Sequence, residues 1–267
     1  MNGDLERLVA AIAPHGSALV ALSGGVDSAL VARVARLHLR GRMVAITAVG
    51  STIPEEEVAI ARGMAVRFGW EHRLVDTREV DRPGYRANAG DRCFHCKSAL
   101  FETTEAIRVE EGLAVVLDGT LPDDLTGHRP GHVAAHANGV RHPLVEAGLS
   151  KGQVRELARS LDLPVWDKPS FACLGSRFPR GTEVTEAKLR RVDVAERALR
   201  AEGLKTFRVR WHELGDRVLA RVEVAAAEIA IVAQPDVRNR VATAMRGVGV
   251  DWVTLDLLGY GQTADGS

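Results

Sequence analysis

Residues 18–28 read Ala18-Leu19-Val20-Ala21-Leu22-Ser23-Gly24-Gly25-Val26-Asp27-Ser28, and helical periodicity follows at Ala29–Leu39. A short apolar run ending in glycines reads as a buried strand. Its junction with a helix leaves backbone N–H groups free to face an anion. Gly24 and Gly25 permit close backbone approach, Val26 continues the turn, Ser23 and Ser28 add hydroxyl donors, and Asp27 can cap the helix or hold Mg²⁺. The stretch is therefore a candidate nucleotide-phosphate loop; a glycine-rich turn without a ligand is the plain alternative.

Outward from it, apolar runs at Val44–Val49, Leu74–Val75 and Val115–Leu117 alternate with helical text at Glu55–Phe68, Ser98–Val109 and Lys151–Leu161. Such alternation predicts an α/β fold, with a Rossmann-like parallel sheet covered by helices and a ligand crevice at the carboxyl ends of the strands. Pro169, Gly175, Pro179 and Gly181 punctuate the next segment. Residues 1–168 are thus expected to form the nucleotide domain, 169–181 a linker carrying Cys173, and 182–267 a second, smaller α/β domain. In the last, Lys188–Leu199 reads as a helix, and Phe207–Trp211 with Val218–Val224 as a hairpin around Leu214-Gly215-Asp216. Helical text follows from Ala225, then a final strand at Trp252–Leu257.

Among 267 residues, 35 Lys and Arg balance 35 Asp and Glu, 46% are hydrophobic, and the mean hydropathy is −0.05. This excludes disordered and collagen-like chains, and a pI near 7.1 argues against coating of nucleic acid, which needs many basic residues on phosphates. No apolar run is long enough to cross a bilayer, and Met1–Leu8 carries acidic residues before any hydrophobic stretch, so a cytoplasmic protein is expected.

Cys93 and Cys96 lie three apart at the start of a predicted helix, where i and i+3 share a face, and Cys173 lies in the linker. Three thiolates with one vacant position suit a 4Fe-4S cluster with an open iron. A structural zinc with His95 as fourth ligand, a Cys93–Cys96 redox disulfide and inert buried thiols compete with that reading.

In Phe207-Arg208-Val209-Arg210-Trp211-His212, strand alternation puts Arg208, Arg210 and His212 on one face. Lys168–Arg210 holds 11 Lys and Arg against 5 Asp and Glu inside a neutral chain. Guanidinium forks suit a phosphate monoester or a carboxylate, and Glu196 on the preceding helix is placed to orient one of them. A solvated strand face with surface ion pairs is the bland alternative.

The loop lacks the lysine of ordinary P-loops, and Ser-Gly-Gly-x-Asp-Ser instead resembles the PP-loop of ATP pyrophosphatases, which adenylate a substrate and release pyrophosphate. Over almost its whole length the chain further resembles the LarE family, ATP-dependent sulfur transferases of nickel-pincer nucleotide cofactor synthesis. Beyond the loop, that resemblance rests on Asp91-Arg92-Cys93 with Cys96-Lys97, Asp118-Gly119-Thr120 with Asp123-Asp124, Arg129-Pro130-Gly131, Lys168-Pro169, Ala172-Cys173-Leu174 with Ser176-Arg177, and Arg208-Val209-Arg210. Leu121 and Arg180 depart from the family pattern.

The resemblance implies that ATP, with Mg²⁺, adenylates a carboxylate of pyridinium-3,5-biscarboxylic acid mononucleotide, and that sulfur then displaces AMP to give a thiocarboxylate. It implies ATP contacts at Ser23–Ser28 and Gly119, and a substrate-phosphate pocket from Arg208, Arg210, Glu196, Ser176 and Arg177, with Glu228 as a further candidate. Cys173 then either gives up its own sulfur, becoming dehydroalanine, or joins Cys93 and Cys96 in holding a 4Fe-4S cluster that carries an extra sulfide. Three cysteines place this chain with the cluster-bearing kind. The resemblance also implies a sulfide donor and a homo-oligomer, a hexamer by family analogy. The nearest rival is a PP-loop tRNA-thiolating enzyme with three cysteines; an ammonia-using amidotransferase and a non-catalytic nucleotide-binding module are further alternatives.

Overall fold

The computed structural model describes residues 3–125 and 139–261, so Arg129-Pro130-Gly131 lies outside the described residues. The chain divides into two compact units, Met1–Tyr85 with Asp91–Ala172, and Arg86–Gly90 with Cys173–Ser267.

The first unit runs α1 (Gly3–Ile12), β1 (Ala18–Ala21), α2 (Val26–His38), β2 (Met43–Val49), α3 (Glu55–Phe68), β3 (Glu71–Asp76), then a short helix α4 (Pro83–Ala87) that reaches into the second unit. It continues with α5 (Arg92–Glu110), β4 (Val115–Leu117), α6 (Pro122–Leu125), α7 (Pro143–Glu146) and α8 (Lys151–Ser160). The four strands are all parallel, in the order β3-β2-β1-β4. Ala18 and Val20 turn toward a core that includes α1, α2 and α8, while Leu19 turns to the opposite face with Val44, Ile46, Phe101 and Val116. Both faces are covered, which is why these strands read as continuous apolar runs.

Strand β3 is longer than its Leu74–Val75 apolar signal. Its backbone pairs with β2 from Val44↔Glu71 to Val49↔Asp76, and as an edge strand it tolerates charge: Glu71 and Arg73 join an ion-pair network with Arg42 and Glu111. Helix α1 precedes the apolar runs, and Leu5, Leu8, Val9 and Ile12 at helical spacing are its signal. Ser150 and Gln153 form a capping box that fixes the start of α8.

The second unit holds α9 (Glu186–Ala201), β5 (Phe207–Leu214), β6 (Arg217–Val224), α10 (Ile229–Val232), α11 (Pro235–Gly247) and β7 (Trp252–Leu255). Its sheet has the order β5-β6-β7, an antiparallel hairpin extended by one parallel strand. Gly215, at φ +67°, makes the hairpin turn. The final strand ends at Leu255, two residues short of the expected Leu257, because the Asp256 carboxylate accepts the Leu258 N–H and turns the chain; Tyr260 N–H then donates to Val224 O. Arg86–Gly90 joins this unit through backbone pairing of Val184 with Arg86 and of Gly181 with Asn88, and the Asn88 amide donates to Pro179 O and Thr182 O. Arg180 donates to Ala89 O and lies against Gly90, where a Cβ would meet its guanidinium.

Candidate active site

In the first unit the strand order changes direction between β1 and β4, and a parallel sheet opens its ligand crevice at the carboxyl ends of strands beside such a switch. Two loops end there. After β1, Ser23 N–H donates to Ser28 Oγ at 3.1 Å, the two serine hydroxyls lie 3.1 Å apart, and Gly25 N–H reaches Ser23 Oγ at 3.4 Å. Gly25 is the N-cap of α2, which starts at Val26, and no side chain caps it, so the first-turn N–H groups remain available to an anion. Gly24 has φ +81°, and a Cβ there would stand 2.7 Å from Glu57 O. After β4, a Cβ on Gly119 would stand 2.5 Å from Ser28 N. The glycine thus lets the second loop lie directly on the first turn of α2.

The lysine absent from the loop is replaced from elsewhere in the unit. Lys151 Nζ lies 2.7 and 2.6 Å from the two Asp27 carboxylate oxygens, and Lys168 Nζ donates to Gly24 O at 3.0 Å and to the Glu57 carboxylate. Asp27 therefore does not cap α2. Its partly open carboxylate suits Mg²⁺, which commonly takes one or two carboxylates together with nucleotide phosphates.

Asp118, at the end of β4, accepts from Thr120 N–H at 3.0 Å, Thr120 Oγ at 2.8 Å and His142 Nδ1 at 2.7 Å. Burial alone would raise its carboxyl; the His142 hydrogen bond, the Lys97 ammonium and the Thr120 N–H outweigh burial and hold it below the usual carboxylate range. Leu121 is buried and donates its N–H to Asp124.

In the second unit, three arginines from the sequence-derived pocket are held in three different ways. Arg177 is buried, with its fork on Glu196 (Nε–Oε1 2.6 Å, Nη2–Oε2 3.0 Å) and Nη1 on Ser176 Oγ at 2.8 Å. Glu196 also accepts Val209 N–H at 3.0 Å, so it locks α9 to β5, and the arginine it orients is Arg177. Arg210 donates to Glu223 Oε1 at 3.1 Å and Ser176 O at 2.8 Å. Arg208 lies 4.4 Å over the Tyr260 ring, bonds no carboxylate among the described residues, and has a buried Nε without a hydrogen-bond partner. Burial, reinforced by Arg177 and Arg210, holds Arg208 below the usual arginine range against the pull of Tyr260 and Glu223. A desolvated cation beside two others is a site that an anion completes. His212 is held below its usual range by burial first, then Arg221 and Arg210, and Glu228 accepts Lys205 N–H.

Cys93 and Cys96 occupy the first turns of α5, and Cys173 opens the second unit as N-cap of the Leu174–Arg177 turn. None of the three is in a disulfide; Cys93 is exposed, and Cys96 and Cys173 are partly buried. Among the described residues no group of three or more His, Cys, Asp or Glu side chains is assembled to hold a metal ion, and His95 bonds Asp91 at 3.1 Å. A 4Fe-4S cluster with three cysteine ligands needs all three sulfurs around one cube. Spacing along the chain reports the Cys93–Cys96 pair but not the place of a third thiol.

Lys151, His142, Tyr260 and Glu223 were invisible as site residues in the motif reading. A phosphate loop without lysine was a signal to look for an imported cation, and Lys151 follows the helix-capping Ser150; the other three carry no local pattern.

Residues 10–230 match the family model described as asparagine synthase. An uncharacterized protein of Synechocystis sp. is 42% identical over 260 residues, 97% of this chain and 96% of that one. The pyridinium-3,5-bisthiocarboxylic acid mononucleotide synthase of Lactiplantibacillus plantarum is 33% identical over 255 residues, covering 95% of this chain and 90% of its own length. An uncharacterized Methanocaldococcus jannaschii protein is 26% identical over 192 residues, 72% of this chain and 73% of its own.

Proposed function

The chain belongs to the asparagine synthase family of PP-loop ATP pyrophosphatases, and from that premise we propose that it adenylates a carboxylate of pyridinium-3,5-biscarboxylic acid mononucleotide and then replaces the adenylate with sulfur. The observation that carries the substrate class is Arg208, a half-buried guanidinium with an unpartnered Nε and no bound carboxylate, suited to a phosphate monoester. The Lactiplantibacillus relative, a pyridinium-3,5-bisthiocarboxylic acid mononucleotide synthase, supports the same chemistry.

In the first unit the α2 N-terminus, Ser23 and Ser28 hold the polyphosphate, with Asp27 the residue to hold Mg²⁺, which offsets phosphate charge when bound. The substrate carboxylate attacks the α-phosphorus, and pyrophosphate leaves. Positioning and charge stabilisation are the main contributions of the protein. The Cys173 thiolate then attacks the acyl carbonyl and expels AMP, forming a thioester. Loss of the Cys173 Cα proton with cleavage of the Cβ–S bond releases the thiocarboxylate and leaves dehydroalanine. A 4Fe-4S cluster, when bound, would be held by Cys93, Cys96 and Cys173 and would supply an extra sulfide in place of the Cys173 sulfur. A sulfide donor that restores the residue and a homo-oligomeric assembly belong to the same proposal.

The test is anaerobic incubation with ATP and Mg²⁺, comparing the mononucleotide, bulk tRNA and no acceptor. Release of AMP and pyrophosphate that needs the mononucleotide, a sulfur-for-oxygen mass gain in the product, and loss of one H₂S from the protein mass support the proposal. Release with tRNA alone moves the chain to the RNA-thiolating class, and release with neither acceptor removes it.

A further inference from the structure

The adenylation chemistry above leaves the Asp118–His142 pair without a task. Asp118 is almost fully buried and takes three hydrogen bonds, one of them from His142 Nδ1. A carboxylate at Nδ1 keeps the proton on that nitrogen, so Nε2 becomes the atom that gains and loses one. Nε2 has no hydrogen-bond partner among the described residues and is not among the buried orphan atoms, so it is open to a ligand.

The backbone places this ring deliberately. Arg141 pairs with Leu117 in a parallel bridge, with Arg141 N–H on Val116 O at 2.9 Å and Asp118 N–H on Arg141 O at 3.2 Å. His142 therefore follows directly on an isolated bridge residue, alongside the carboxyl end of β4. Gly119, the neighbour of Asp118, lies on the first turn of α2, where the polyphosphate is held. The charged groups around the pair are already committed: Lys97 acts on Asp118, Arg141 is paired with Glu146, and Lys151 with Asp27.

We infer that His142 is the acid that protonates the departing pyrophosphate, oriented by Asp118. As the substrate carboxylate oxygen bonds to the α-phosphorus, the bond from the α-phosphorus to the bridging oxygen breaks. Its electron pair stays on pyrophosphate, and the Nε2 proton goes with it. Asp118 remains ionised and stabilises the imidazolium before transfer; water returns the proton afterwards. The inference rests on the adenylation step of the proposed function and not on the identity of the sulfur source.

The experiment compares His142→Gln and Asp118→Asn with the unaltered protein. His142→Gln is expected to lower kcat for pyrophosphate release on the order of 100-fold, to bind Mg²⁺–ATP normally, and to lose the decline of kcat with rising pH that an acid imposes. Asp118→Asn is expected to lower kcat less. In parallel, ¹⁵N-histidine spectra of the unaltered protein, assigned with His142→Gln, are recorded with Mg²⁺ and pyrophosphate, and the Nε2 resonance of His142 is expected to move. Unchanged kcat in His142→Gln, loss of Mg²⁺–ATP binding in that variant, or an Nε2 resonance unmoved by pyrophosphate overturns the inference. If the unaltered protein releases no pyrophosphate with the mononucleotide, the adenylation reading fails by itself, and the spectra still decide whether His142 meets pyrophosphate.

Discussion

Arg177, Arg208 and Arg210 share one unit and one charge, but each has a different partner, and the partner decides what each can do. Glu196 takes the fork of Arg177, and both side chains are buried, so Glu196→Gln removes the carboxylate that this buried guanidinium is paired with. It should cost about 3–5 kcal/mol in a denaturant titration. Tyr260 holds Arg208 through its ring face and takes none of its N–H donors, which leaves the fork for a ligand. Arg208→Ala should therefore raise KM for the phosphorylated substrate about 10- to 100-fold, the worth of a charged hydrogen bond, while Tm stays nearly constant. Arg208→Lys should not restore it, because an ammonium lacks the planar fork. Strand alternation already placed Arg208 and Arg210 on one face in the sequence. It could not say which arginine keeps its donors, since Glu223, Ser176 and Tyr260 reach them through tertiary contacts.

At the scale of the element, the strand β1, its loop and α2 were legible because strand, glycines and helix are adjacent in the chain. What was not legible is how closely a second loop approaches. Gly119→Ala would force its Cβ against Ser28 N, and the first turn of α2 must move to admit it. A displacement of that kind should lower kcat for pyrophosphate release by about 100-fold, read in steady-state kinetics with the fold checked by circular dichroism. The neighbouring β2–β3 pair carries a pH dependence. His72 Nε2 lies 2.8 Å from Thr47 Oγ1, which itself donates to Leu22 O, and burial followed by the Arg62 charge holds His72 below its ordinary value. Since the unfolded chain protonates first, stability is complete above about 6.5, the ordinary imidazole value, and is lost as pH falls from there toward the lowered folded value. Denaturant midpoints across that window should fall with pH, and His72→Gln should flatten the dependence.

Under the proposed function the units divide the labour: polyphosphate chemistry in the first, the Arg208 guanidinium and Cys173 in the second. Cys173→Ala should accordingly still release pyrophosphate in a first turnover while making no thiocarboxylate, as mass analysis of the products would show. Parallel loss of both would mean that adenylation itself depends on the thiol. No helix among the described residues is long and apolar enough to cross a membrane. The sequence by itself determined the alternating α/β fold, the phosphate loop and the arginine alternation, since each is written in residues a few positions apart, where backbone periodicity and glycine conformation act. Only the tertiary structure decided that Lys151 neutralises Asp27 across 124 residues, that Asp118 holds His142 across 24, and that Arg86–Gly90 packs with the second unit. Those pairings depend on how buried faces stack and on where a buried charge finds its partner, and no local pattern in the chain records either.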